Sequence, residues 1–201
     1  MAIYNTSRLN YLWAAWFGLS IPVILLIDAL PHYPSHLYLQ PSSPLHPFHL
    51  LRQQYLLETN DPISQWSFSS SIPGSHDSWI GLFMYFEFFF SLPVVLYGFY
   101  RLALARGTTG PQELLYLLYA LETAFTTLIC IHDVFYWDPA VYSPEIKRKM
   151  VVQYLGPWVL VPSIMAIDMA RRILGRIKLA DEVMEERERE EKERTQRRKV
   201  Q

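Results

Sequence analysis

Four runs of apolar residues alternate with polar stretches along the chain. They cover about residues 11–30, 79–100, 114–137 and 150–170. Each is about 20 residues or longer, and at ~1.5 Å rise per residue a helix of that length crosses a ~30 Å hydrocarbon core. Four buried helices in a soluble chain of 201 residues would leave no amphipathic shell to cover them. The pattern therefore predicts an all-α fold, a four-helix transmembrane bundle. The first run is read as a span and not as a cleaved leader, because it is long, contains Asp28 and is followed by no small-residue cleavage site. A long connection rich in Pro, His, Ser and Tyr runs from Pro31 to Asp77, and its tract 67–75 predicts a surface loop. The stretch 106–111 predicts a tight helix–helix connection with Pro111 in a first turn. Pro22, Pro93, Pro157 and Pro162 fall inside the runs. Each removes a backbone donor, so kinked helices splayed around an internal cavity are expected.

Charge divides the chain into a membrane body, 1–174, and a charged tail, 175–201. The tail holds nine Lys/Arg and eight Asp/Glu, although the whole chain has a formal net charge of −1. Glu186/Glu190, Arg187/Glu191 and Glu190/Arg194 stand at i,i+4 spacing, which predicts a solvated helix outside the bundle. Arg8, Arg101, Arg106, Arg171, Arg172, Arg176 and Lys178 share one side of a four-span topology. That bias places both termini in the cytosol, against a smaller cluster at Lys147, Arg148 and Lys149. The chain ends Arg198-Lys199-Val200-Gln201, a basic pair that matches a sorting signal for return to the endoplasmic reticulum and equally suits a solvated tail. Apolar and aromatic content excludes a disordered body. The absence of a basic stripe argues against nucleic acid, and a single cysteine, Cys130, excludes an internal disulfide framework.

The chemistry lies in the acidic residues within the runs. Asp28, Glu87, Glu122 and Asp133 have no Lys or Arg among them there, and His132 is the only base. A charge in hydrocarbon costs several kcal/mol, so such residues mark function by default. Asp28 and Glu87 fall in the same half of the bilayer on antiparallel spans. Neither can ionise cheaply beside the other, so they are expected to share a proton over one cavity. Glu122 and Asp133 are about 1100° apart on one helix, hence on one face. Asp28 and Asp133 also read as interfacial helix-end residues, and His132 as a satisfied polar residue. One His beside one Asp is no metal set, so neither metal nor cofactor is implied. Phe86, Phe90, Tyr119, Tyr154 and Trp158 are candidates to line the cavity, although such a stripe also serves plain helix packing.

Residues 21–28 with Leu37-Tyr38, then Asn60-Asp61-Pro62, then 86–93 with Glu87 followed by Leu92-Pro93, and 154–162 resemble, in order and spacing, the sigma-2 receptor branch of the EXPERA family. That family also includes the emopamil-binding sterol isomerases. The resemblance covers about residues 8–174. It implies a four-helix protein of the endoplasmic reticulum that binds sterols and amines, with Asp28 pairing to a ligand amine, Glu87 bonded to Asp28, and Asp61 structural. The chain departs from the branch in its extra Glu122, His132 and Asp133 and in a longer loop.

The resulting expectation is a membrane protein that binds a sterol or cationic amphiphile and acts in lipid or protein-trafficking homeostasis. An isomerase using Glu87, Glu122 or His132 as acid and base is the alternative, although the isomerase branch's His-x-x-x-Glu of the first helix is missing. A quality-control factor supporting mitochondrial protein targeting is a third. Membrane lipids are expected neighbours, and a membrane-protein partner or a homodimer stays open.

Overall fold

The computed structural model describes residues 8–66, 78–105 and 107–200, with the side chains of 78, 105 and 197–200 outside the description. The loop tract 67–75 and Arg106 therefore lie outside the described residues, as do the side chains of Arg198 and Lys199. The fold is all-α, and the described residues contain no strand. Four helical segments are long and apolar enough to cross a membrane: Leu9–Asp28, Trp79–Leu104, Gly110–Tyr136 and Pro144–Gln196.

The first span is α1 (Leu9–Val23) continued by a π-helical turn, Ile24–Asp28. The connection that follows is not all loop. It holds α2 (His46–Thr59) and the short α3 (Pro62–Gln65). The second span comprises α4 (Ser78–Phe86), a π turn Glu87–Ser91 and α5 (Leu92–Ala105). The third is α6 (Gly110–Tyr136). The fourth is α7 (Pro144–Lys149), a π turn Met150–Leu155 and α8 (Gly156–Val200), which runs without a break into the charged tail.

The three π turns stand beside prolines. Pro93 and Pro157 each lie two residues past a π turn, and Pro22 two residues before one. A proline inside a helix has no N–H to give, and its ring crowds the carbonyl four residues back. At Pro93 and Pro157 the carbonyl four residues back lies inside the π turn, where the widened helix relieves that crowding and leaves free carbonyls; the turn after Pro22 lies on the other side of the proline from the carbonyl it crowds, so this relief does not account for it. Pro162 is carried inside α8 instead. At the start of α6, Gln112 Oε1 accepts from the Thr109 N–H at 2.9 Å, which satisfies a donor that the helix itself cannot.

α1 packs on α5, and α6 on α8. Their shared core is Trp13, Phe17, Val95, Leu102, Tyr116, Tyr119, Met165 and Met169. Phe17 meets Tyr116 and Tyr119 edge-on at 5.2 and 5.4 Å. It also lies flat on Gly98, where an added Cβ would stand 2.5 Å from Phe17 Cε2, so only glycine admits this approach of α5 to α1.

One end of the bundle is closed by ion pairs. Arg172 donates to Asp168 at 2.5 Å and to Asn10 at 2.6 Å, and Asp168 also accepts from Trp13 Nε1 at 2.7 Å. Arg176 Nε donates to the fully buried Glu113 at 2.6 Å, and Thr108 Oγ1 to the same carboxylate at 2.7 Å. Each of the two carboxylates meets a guanidinium and a second, neutral donor, which is the condition under which buried charges are tolerated. These bonds tie α8 to α1 and to the turn between the second and third spans.

Candidate functional site

The opposite end is built around Asp28. This residue closes the first π turn, and Glu87 opens the second. Their side chains come within hydrogen-bonding reach of each other. Carboxylate oxygens only accept, so a hydrogen bond between the two needs a proton held between them. Both residues are half-buried. Glu122 stands close enough to Glu87 for its charge to act on it. It accepts from Ser91 Oγ at 2.8 Å and from Thr123 Oγ1 at 3.4 Å. Thr126 and Thr127 turn their hydroxyls to carbonyls of their own helix.

The expectation that these carboxylates lack any protein cation needs correction. α2 packs against the first π turn, and Arg52 on α2 lies within electrostatic reach of both Asp28 and Asp61. No counter-ion lies within the spans, but the connection folds back to supply one. Burial pushes the Arg52 guanidinium below its usual range, and Asp28 and Asp61 pull it back up. Arg52 Nη2 donates to the Ser64 carbonyl. Arg52 is the only Lys or Arg between Pro31 and Asp77, which is the one signal in the sequence that could have found it.

Asp61 holds this covering segment together. α2 ends at Asn60, whose φ of 49° is left-handed, a conformation Asn tolerates better than most residues. Asp61 then caps α3, accepting from Ile63 N–H at 2.9 Å and Ser64 Oγ at 2.6 Å. Pro62 occupies the first helical position, where no donor is needed. The buried Asp61 also accepts from Tyr55 OH at 2.6 Å. Burial first, and Asp61 second, push the Tyr55 phenol well above the usual tyrosine range. Tyr55 in turn stands edge-on to Tyr154 at 4.9 Å. Tyr142 OH donates to the Asn60 carbonyl at 2.9 Å, and Lys149 pairs with Glu58 at 2.7 Å. Trp66 lies over Gly81, where an added Cβ would be 3.1 Å from its ring. His32 sits between Trp66 and Phe88, at 6.2 and 5.7 Å. Burial, then Arg52, holds the His32 imidazole below its usual range.

The other candidate residues are scattered. His132 is exposed, its ring 4.9 Å from Tyr136, and the structure does not bring it to Glu87 or Glu122. Ten residues along a helix rotate it about 80° from the Glu122 side. Asp133 accepts from Trp137 Nε1 at 2.8 Å, a bond within its own helix end. Phe86 is 46% exposed on the outer surface and lines nothing, because one residue before Glu87 is about 100° around the helix from it. Phe90 packs against the core cluster. Tyr119 is buried, 3.5 Å from Ser20 Oγ. Trp158 lies on Trp16 with ring centroids 4.8 Å apart. Tyr154 belongs to the cluster under α2, around Val134, Trp137 and Met150.

No curated protein sequence matches the chain. The family model for EXPERA (EXPanded EBP superfamily) matches residues 47–169, more than half of the chain. The matched stretch contains Arg52, Asp61, Glu87 and Glu122, and Asp28 stands before it. A multi-pass bundle of four long apolar helices, with these acidic positions on its second and third spans, carries the match across most of its membrane body, and the chain belongs to the EXPERA family.

Proposed function

We propose that the protein binds a sterol-like or amine-bearing amphiphile in the membrane, with its polar end at Asp28 and Glu87 and its apolar body among the spans. The observation that carries this reading is the close approach of two carboxyl groups, one from each of two π turns. The pair can accept from an ammonium through its charge, or exchange hydrogen bonds with a hydroxyl through its shared proton. Phe90 and Trp158 would flank the apolar body. This is the activity expected of the sigma-2 receptor branch, and the reading places the protein in the endoplasmic reticulum with both termini cytosolic. In it the tail 175–201 is a separate functional unit, with Arg198 and Lys199 as the return signal.

The isomerase reading is weaker on one observation. It needs a base poised near the acid, and with His132 facing away from Glu87 and Glu122 only those two carboxyl groups are left to share both roles. Purification in mild detergent followed by mass spectrometry of the retained lipid tests both readings. An unreacted sterol or amphiphile, lost from Asp28→Asn protein, is expected. A substrate–product mixture that changes on incubation would favour the enzyme, and no retained ligand from wild-type protein in any mild detergent would overturn the binding reading.

A further inference from the structure

At the end of the bundle away from Asp28, the half-buried Arg101 stands apart from the ion pairs. Arg172 is matched by Asp168 and Arg176 by Glu113, so the carboxylates nearby are taken. Arg101, on α5, has its Nε buried with no hydrogen-bond partner among the described residues. Beside it is a second orphan. Tyr116 of α6 is fully buried, and its hydroxyl likewise has no partner among the described residues. Arg101 and Tyr97 both lie within electrostatic reach of that hydroxyl. Tyr97 OH accepts from Gln112 Nε2 at 2.9 Å, which leaves its own hydrogen to give.

The four residues form a quartet between two antiparallel helices. Tyr97 and Arg101 are four apart on α5, and Gln112 and Tyr116 four apart on α6, so each pair shares a face. What they offer is almost entirely donors: a guanidinium and two hydroxyl hydrogens. Buried polar groups are almost always satisfied, and a half-buried cation without an anion is costly. A locus of unused donors around one positive charge calls for an anion with several acceptor oxygens.

Depth identifies the anion. Arg101 is three residues from the end of the second span at Leu104, and Gln112 two residues into the third from Gly110. By helical rise both lie within ~5 Å of the span ends. This is the level at which long basic side chains and tyrosines meet the phosphates of a bilayer. We propose that Arg101, Tyr97 and Tyr116 form a binding site for the phosphate of a membrane phospholipid, separate from the carboxylate site at the other end.

The test uses the full chain in phosphate-free detergent micelles, with short-chain phosphatidic acid as the probe. Native mass spectrometry reads the retained lipid, and thermal unfolding reads the stabilisation. Wild-type protein should retain the lipid and melt higher with it, whereas diacylglycerol with the same tails and inorganic phosphate at the same concentration should do neither. Arg101→Gln should weaken retention at least tenfold, and Arg101→Lys should recover part of it. Arg171→Gln, which removes an exposed basic residue at the same end, should leave it unchanged. Tyr116→Phe should weaken retention three- to tenfold while leaving the lipid-free melting temperature unchanged or raised, since it removes an orphan hydroxyl. That opposite pair of signs distinguishes a site from a packing role. Retention by Arg101→Gln equal to wild type, equal stabilisation by diacylglycerol, or equal stabilisation by inorganic phosphate would each overturn the proposal.

Discussion

Asp28→Asn removes a charge and keeps the shape, which makes it the sharpest probe of the carboxylate site. An ammonium ~4 Å from a carboxylate gains about 4 kcal/mol at the effective dielectric of a protein site near its surface. The full figure will not be seen here, because Arg52 already lies within reach of Asp28 and repels an incoming cation. A net loss of about 2–3 kcal/mol is expected, or roughly 30- to 150-fold in Kd. A neutral ligand of the same skeleton, with a hydroxyl in place of the amine, should lose far less, since asparagine still offers a donor and an acceptor. Glu87→Gln keeps a donor for Asp28 and removes only the shared proton. Its cost for the amine should be about 1 kcal/mol, near fivefold, the usual scale of one exchanged hydrogen bond. Binding of a radiolabelled cationic amphiphile to membranes carrying each variant, with competition by the neutral analogue, reads all three effects. Asp28→Asn protein that elutes as folded and binds the amine within threefold of wild type would refute the argument and move attention to Glu122.

Glu113→Gln should cost about 2–3 kcal/mol of stability, less than a fully buried pair because Arg176 is partly exposed; a melting temperature in detergent within 1 °C of wild type would count against the ion pairs as the clasp of that end. His32 supplies a pH dependence: its imidazole is held below the ordinary value of 6.5, so the unfolded chain takes a proton that the folded protein refuses, and stability should fall as pH drops below about 6.5. His32→Asn should flatten that slope in thermal unfolding between pH 5 and 8, and an unchanged slope would assign the dependence to other groups.

Much of this architecture can be read from composition and length, because a membrane span must be long, apolar and helical whatever its neighbours do. Asp28 and Glu87 could be paired from depth alone, since antiparallel spans of known length fix which residues share a level. Arg52 escapes that logic. Its position depends on α2 folding back over the first π turn, an event governed by the Asn60-Asp61-Pro62 corner and the packing of Tyr55 and Tyr154, not by hydropathy. The π turns are equally hidden. A proline announces a disturbed helix, but neither its position nor the hydropathy says that the disturbance takes the form of a π turn. Glu113 is silent for a different reason: it sits in the first turn of a helix, where acidic residues are ordinary, and only the fold shows it fully buried beneath Arg176.

The two ends of the bundle obey the same electrostatics and reach opposite states. At the Arg172 end, Asp168 and Glu113 each meet a guanidinium at hydrogen-bond distance and share donors from Trp13 and Thr108. That end is fixed by its ion pairs, and removing any member should destabilise the bundle. At the Asp28 end, Asp28, Glu87, Glu122 and Asp61 have one guanidinium, Arg52, within reach of two of them. Asp61 spends its acceptors on a helix cap and on Tyr55, which leaves Asp28, Glu87 and Glu122 with more acceptor capacity than the described residues fill. Evenly matched charges make a clasp, whereas a surplus of one sign that is satisfied only by a shared proton leaves room for a competitor for that proton. A ligand bearing a cation or a hydroxyl is such a competitor, and this asymmetry is the physical ground for proposing amphiphile binding at the Asp28 end and for reading the Arg172 and Arg176 ion pairs as the clasp of the other.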